Sequence, residues 1–211
     1  MMVANSILRI GDVDNYGMDV NFQTMNKKRI AFEDRNRYHL WELPFLCDYI
    51  VNNHHTYVEA EIPTIRGYLK HAVWDHAECH PELREVAKLF YALSDMLSQH
   101  MKNERCVLFP LITELYKAHA AGDQLPEAKL GAVSKMIADM IAEHTSASTS
   151  LSKIRELLND YRVLVSSGLE QTYGALIEFE RDLYRQTFIE NEVLFPAAQE
   201  LERELEPGQL K

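Results

Sequence analysis

Cysteine is scarce in this chain. Cys47, Cys79 and Cys106 are odd in number, scattered and without CxxC spacing, which argues against a disulfide framework and reads as reduced thiols. No apolar run approaches the roughly 18 residues of a membrane span, and no signal peptide opens the chain. These absences predict a cytoplasmic protein with no membrane partner. Positive charge is also short: 22 Lys and Arg against 32 Asp and Glu give a net charge of −10. Such a surface lacks the electrostatic footprint for nucleic acid or anionic lipid. Strand-type alternation is nearly missing as well. What is present is ordinary for a soluble globular protein: 46% hydrophobic and 26% charged residues over 211 positions, enough to bury a substantial core in one domain or two.

The first stretch, residues 1–40, reads differently from the rest. "GDVDNYGMDVNFQTMNKK" is polar, turn-rich and weakly periodic, which predicts an irregular N-terminal arm or a degenerate small domain. From Trp41 to residue 211, apolar residues recur at spacings of three and four. Four long helices are predicted over about 42–75 (A), 81–119 (B), 126–162 (C) and 169–204 (D). Pro81 suits a first helical turn, with Glu82 and Glu85 beside the positive end of the helix dipole. "AAGDQLPE", "SSG" and "EPG" supply the remaining breaks. Four helices joined by short links predict an all-α, antiparallel up-and-down four-helix bundle.

One phrase occurs twice. "NERCVLFP" and "IENEVLFP" both contain Glu-x-x-Val-Leu-Phe-Pro, with Glu104 and Glu190 standing 86 positions apart. Each glutamate falls on a predicted inward stripe: Leu93, Leu97, His100, Glu104, Val107, Leu108, Leu111, Leu115 on helix B, and Leu183, Gln186, Glu190, Val193, Leu194, Ala197, Leu201 on helix D. Helix C offers Ile137, Met140, Ile141, His144, Leu151, Ile154, Leu158, and helix A offers Leu46, Ile50, His55, Ile62, Ile65, Leu69. Two uncompensated buried carboxylates cost several kcal/mol each and repel one another. A multivalent cation resolves both problems, with Glu104 and Glu190 bridging a pair of metals and histidines from A, B and C in terminal positions. Imidazole with carboxylate suits iron, manganese or zinc, whereas magnesium or calcium prefers oxygen alone.

Taken singly, each feature has a plainer reading. A lone core histidine is more often hydrogen-bonded than metal-bound, and a His–Glu pair at i, i+4 is commonly solvated. Pro110 and Pro196 each remove a helical hydrogen bond and can simply kink a helix. The joint pattern of three histidine-bearing stripes and two matched glutamates favours the metal. Other histidines fall outside it. His55 and His76 lie 21 residues apart on one helix, roughly 30 Å at about 1.5 Å per residue. His71, His76, His80, His119 and His39 read as surface groups. His54 is set aside because it lies about 100° around the helix from His55, which shares the face of Ile62.

"YIVNNHHTYVEAEIP", "HPEL", "QHMKNERCVLFP", "AEH" and "IENEVLFP" together resemble the hemerythrin-like (HHE cation-binding) family, and within it the di-iron proteins that repair iron centres. The resemblance covers about residues 41–200. It implies a bundle holding a non-haem di-iron centre bridged by Glu104 and Glu190, with His55, His100 and His144 as terminal ligands. Two departures stand out. Where the family's helix D carries a histidine four residues before its glutamate, this chain has Gln186, which offers a weaker carbonyl ligand or an open position, so partial or single iron occupancy is expected. Where family members often place a pair of cysteines near the N-terminus, this chain has Asn21 and Phe22.

The resemblance implies a non-haem iron protein that handles iron or small diatomic ligands (oxygen, nitric oxide) under oxidative or nitrosative stress and acts on iron–sulfur proteins. No acid, base or nucleophile outside the metal shell stands out, so a conventional turnover enzyme is not expected. The alternatives are a metal- or gas-sensing module and a helical protein whose metal site has decayed at Gln186.

Overall fold

The computed structural model describes residues 38–123, 129, 131–162 and 168–205. The arm expected over residues 1–40 lies outside them except for its last three positions, and so do Asn21 and Phe22. Four helical rods account for nearly all of the described chain. Rod α1 runs through Leu43–Tyr49, Ile50–His55 and Thr56–His76. Rod α2 runs through Glu82–Asn103, Glu104–Leu108 and Phe109–Ala121, α3 is Ala132–Leu157, and α4 runs through Glu170–Ile189, Glu190–Leu194 and Phe195–Glu204. Rod α1 packs on α2 and α4, α2 also on α3, and α3 also on α4, which closes the all-α bundle. There is no strand among the described residues, and none of their helices is long and apolar enough to cross a membrane.

The rod ends follow local chemistry. Glu82 and Glu85 occupy the first turn of α2 after Pro81, and Gly122, at φ 69°, closes it in a left-handed cap. Rod α3 is shorter than the expected 126–162. Gly131, at φ 76°, precedes its first turn, and Asn159, Asp160 and Tyr161 leave the helix in succession at φ 48°, 56° and 58°. Asn159 and Asp160 tolerate left-handed backbone, whereas for Tyr161 it is unfavourable. Tertiary contacts of Tyr161 hold it there, its hydroxyl donating to Glu180 at 2.9 Å and its ring meeting Tyr173 edge-on. The N-terminus of α3 is capped from another rod: Glu202 accepts from the backbone N–H groups of Val133 and Ser134 at 3.0 and 2.9 Å.

The apolar interior is divided in two. One cluster includes Val58, Ile65, Leu97, Met101, Ala147, Leu151, Phe179 and Leu183. The other includes Leu46, Ile50, Leu108, Phe109, Met140, Ile189, Leu194 and Phe195. Between them, on all four rods, lie the buried polar residues His54, His55, His100, Glu104, His144, Gln186 and Glu190. Two residues of the expected inward stripes leave the core: Val107 is 45% exposed and Ile141 41%. Val107 lies in a widened helical turn that carries it outward. On α3 the buried face is a narrow seam through Val133, Ile137, Met140, His144, Ala147, Leu151 and Ile154, and Ile141 falls beside it.

Candidate metal centre

At the polar layer the helical ladder widens on three rods. Ile50–His55, Glu104–Leu108 and Glu190–Leu194 are π-helical, a form found mostly as single turns at functional sites. The repeated phrase explains two of them. Pro110 and Pro196 have no N–H for the carbonyl four residues earlier, and their rings crowd it. The preceding Phe109 and Phe195 instead send their N–H groups back to the carbonyls of Glu104 and Glu190. Each copy thus places a carboxylate at the head of a wide turn and an aromatic ring at its foot. Phe109 stacks on His55 with ring centroids 5.9 Å apart, and Phe195 stacks on His144 at the same separation.

The six residues expected at the site meet in this layer. His100, Glu104, His144 and Glu190 each present a donor atom within 4.8 Å of the others. His55 joins through Glu104, with Nε2 3.2 Å from Oε2. Gln186 joins through Glu190, its amide N–H donating to Oε1 at 3.0 Å. Glu104 and Glu190 are fully buried. Yet both oxygens of Glu104, Oε2 of Glu190, both ring nitrogens of His55 and Oε1 of Gln186 make no hydrogen bond. Buried polar atoms are rarely left this way.

Outer hydrogen bonds orient two of the rings. His100 Nδ1 lies 2.6 Å from Glu143 Oε2, and His144 Nδ1 lies 2.9 Å from Asn191 Oδ1. Both acceptors fix the ring proton on Nδ1. The two Nε2 atoms nevertheless face each other at 3.1 Å, with Glu190 Oε2 3.1 Å from His144 Nε2. With those protons on Nδ1, the two Nε2 lone pairs and the Glu190 carboxylate converge on one point. A cation satisfies all of them at once, and outer partners that orient a metal-bound imidazole take this form. The mixture of imidazole and carboxylate fits iron, manganese or zinc.

Metal-free electrostatics give the same picture. Burial, and then the charge of Glu190, push the Glu104 carboxyl well above the usual range. Burial alone would raise Glu190 too, but His144, His100 and His55 outweigh it and hold it low. Burial lowers His55 to about 4 and lowers His100 as well, keeping both neutral and able to donate a lone pair. His144 rises, because contact with Glu190 overcomes its burial. The protons favoured on Glu104 and His144 stand in for positive charge that the cluster otherwise lacks.

Residues 48–198 match the hemerythrin HHE cation-binding domain. The chain belongs to this family. Among curated relatives, it is 30% identical over 171 residues to the iron–sulfur cluster repair protein YtfE of Pectobacterium atrosepticum, a match that covers 79% of this chain and 61% of that protein. It is 29% identical over 171 residues to the YtfE protein of Pectobacterium carotovorum, with the same shares covered. With the YtfE protein of Yersinia pestis it shares 27% over 157 residues, covering 72% of this chain and 64% of the relative. The chain therefore spans less than two thirds of the length of these relatives.

In this HHE bundle the remaining histidines separate by place. His76 is the last residue of α1 and packs against Gly168, far along the rod from His55. His80 meets Glu82 at 3.1 Å and His119 meets Glu204 at 2.9 Å, while His39 and His71 are exposed. His54 departs from expectation. It is buried, with Nδ1 3.0 Å from Asp182 Oδ1 and Nε2 without a partner. The 100° spacing that set it aside holds for an α-helix, whereas a π turn brings successive side chains closer together around the axis. Sequence reasoning also passed over Glu143, Asn191 and Asp182. Glu143 was legible only as the middle letter of "AEH", and Asp182 and Asn191 had no distinguishing signal.

Beside the centre, Cys47, Val51, Arg105, Phe109, Pro110 and Lys117 line a cavity of about 490 Å³. Phe109 separates it from the ring of His55. All three cysteines are free, with Cys47 buried. Burial, followed by the charges of Asp48, Glu104 and Glu190, raises the Cys47 thiol far above its ordinary range, so it lines the cavity as a neutral, unreactive group.

Proposed function

We propose that this chain is a non-haem iron protein of the cytoplasm that handles iron or small diatomic ligands in the repair of iron–sulfur clusters damaged by oxidative or nitrosative stress. Residues 41–211 form the metal-binding unit, with 1–40 as an N-terminal arm or degenerate small domain. Glu104 and Glu190 would hold the metal between them, with His55, His100 and His144 as its further ligands. Gln186 offers a weak carbonyl, so one position exchanges ligands more readily than the other. The observation that carries this reading is the buried set of unpartnered carboxylate and imidazole lone pairs, turned toward one another between two apolar clusters. The family and the names of the relatives support iron and cluster repair as its context.

The residues have distinct tasks in this reading. Glu143 and Asn191 hold the imidazoles of His100 and His144 by Nδ1, presenting Nε2 to the centre. Phe109 and Phe195 restrict the rotation of His55 and His144 and keep water from their faces. Iron held by this set would supply one-electron chemistry and exchangeable coordination positions. Protein purified without chelators is expected to contain iron and to absorb visible light. Added to an iron–sulfur enzyme inactivated by nitric oxide, it is expected to speed the return of activity. Metal content at background level would overturn the reading and leave the decayed-site alternative. Bound iron with no effect on the damaged enzyme would favour a sensing role.

A further inference from the structure

The four mutually close residues, His100, Glu104, His144 and Glu190, are enough to hold one ion: two imidazoles and two carboxylates. A second ion on the other side of the glutamates would find only one imidazole among the expected residues, that of His55. The 86-residue offset that relates Glu104 to Glu190 also relates His100 to Gln186. The α4 half of the site has therefore lost the imidazole that the α2 half keeps.

An imidazole is nevertheless present nearby, supplied by the opposite rod. His54 precedes His55 on the wide turn of α1, just as Glu143 precedes His144 on α3. Both reach across the bundle. Glu143 crosses from α3 to α2 and holds His100 Nδ1 at 2.6 Å. His54 crosses from α1 to α4, where its own Nδ1 is held by Asp182 Oδ1 at 3.0 Å. Each contact is an imidazole–carboxylate couple, but the rods have exchanged roles: on one side α2 gives the ring and α3 the acid, on the other α1 gives the ring and α4 the acid. Asp182 lies one helical turn before Gln186, so the couple sits against the deficient side of the centre.

The free atoms of this couple match a ligand's needs. With its Nδ1 proton donated to Asp182, His54 carries a lone pair on Nε2, and that nitrogen is buried without a hydrogen bond. Asp182 Oδ2 and Gln186 Oε1 are buried and unpartnered as well. His54 Nε2 and Gln186 Oε1, both buried without a partner on the neighbouring rods α1 and α4, are costly unless something electropositive meets them.

We propose that His54, oriented by Asp182, is a ligand for the second metal position and replaces the imidazole absent at Gln186. The proposal rests on the metal-binding reading above. Ferrous iron titrated anaerobically into metal-free full-length protein tests it, with bound iron measured directly and folding followed by circular dichroism. His54→Gln is expected to abolish the weaker binding phase and keep the tighter one. Asp182→Asn, which preserves shape, is expected to weaken only that phase, by roughly 10–100-fold. Gln186→His added to His54→Gln is expected to restore it. Wild-type protein that binds no iron would overturn the reading of the whole centre. If wild-type protein binds iron and a folded His54→Gln matches its stoichiometry and affinity, the role of His54 alone is overturned.

Discussion

Two regions of this molecule bury glutamate, and they deal with its charge in opposite ways. At the start of α3, Glu202 is 2% exposed and receives the N–H groups of Val133 and Ser134 together with the Ser134 hydroxyl at 2.5 Å. The positive end of the helix dipole completes its environment. In the polar layer, Glu104 is 0% exposed, and neither of its oxygens has a hydrogen bond. The first carboxylate is a structural cap whose partners come from the fold itself. The second is stable as an anion only with a partner from outside the chain. Burial alone therefore does not set Glu104 apart from Glu202; burial with unmatched lone pairs does.

Substitutions at the two sites should separate these cases. The largest effect is expected for Glu104→Gln, which should lower bound iron to near background. The same change should stabilise the metal-free protein by about 1–3 kcal/mol, since it removes a buried acid with no partner; elemental analysis and thermal melts check the two halves. Unchanged iron would contradict the bridging role. Glu202→Ala should do the reverse, costing about 3 kcal/mol through the orphaned N–H groups of α3 while iron per folded chain stays constant. In a chain of this size that loss corresponds to a fall in Tm of roughly 6–12 °C. Gln186→His should strengthen the weaker iron-binding phase, and no gain in a titration would show that position 186 does not face the metal. The smallest effect is expected for His76→Ala. Iron content should stay the same and stability should change by no more than about 1 kcal/mol, and a marked loss of iron would place His76 in the centre after all.

The bundle was largely legible in the sequence because spacings of three and four persist through each rod and turn residues punctuate them. The expected limits of α1, α2 and α4 fall within two residues of those observed. Rod α3 was overestimated because "NDYR" carries no proline or glycine to announce its end, and the contacts of Tyr161 with Glu180 and Tyr173 that hold the left-handed run are tertiary. The gathering of His55, His100, Glu104, His144, Gln186 and Glu190 was legible because polar residues interrupted apolar stripes at one level. The burial of His54 was not, because successive side chains lie about 100° apart on an α-helix but closer together on the π turn that carries it. Val107 was misplaced for the same reason. Glu202 could not be distinguished from its acidic neighbours Glu200 and Glu204, because what fixes it lies almost 70 positions away.

The wide turns also constrain how the chain can vary. A π turn accommodates one residue more than the ladder around it, so deleting a single position between Glu104 and Leu108 would restore an ordinary helix and leave the register beyond it unchanged. Phe109, Ile112 and Leu115, all now buried, would stay inside. A deletion elsewhere in the rod would swing everything beyond by about 100°, so the wide turn marks a place where the rod's length can change without repacking its far half.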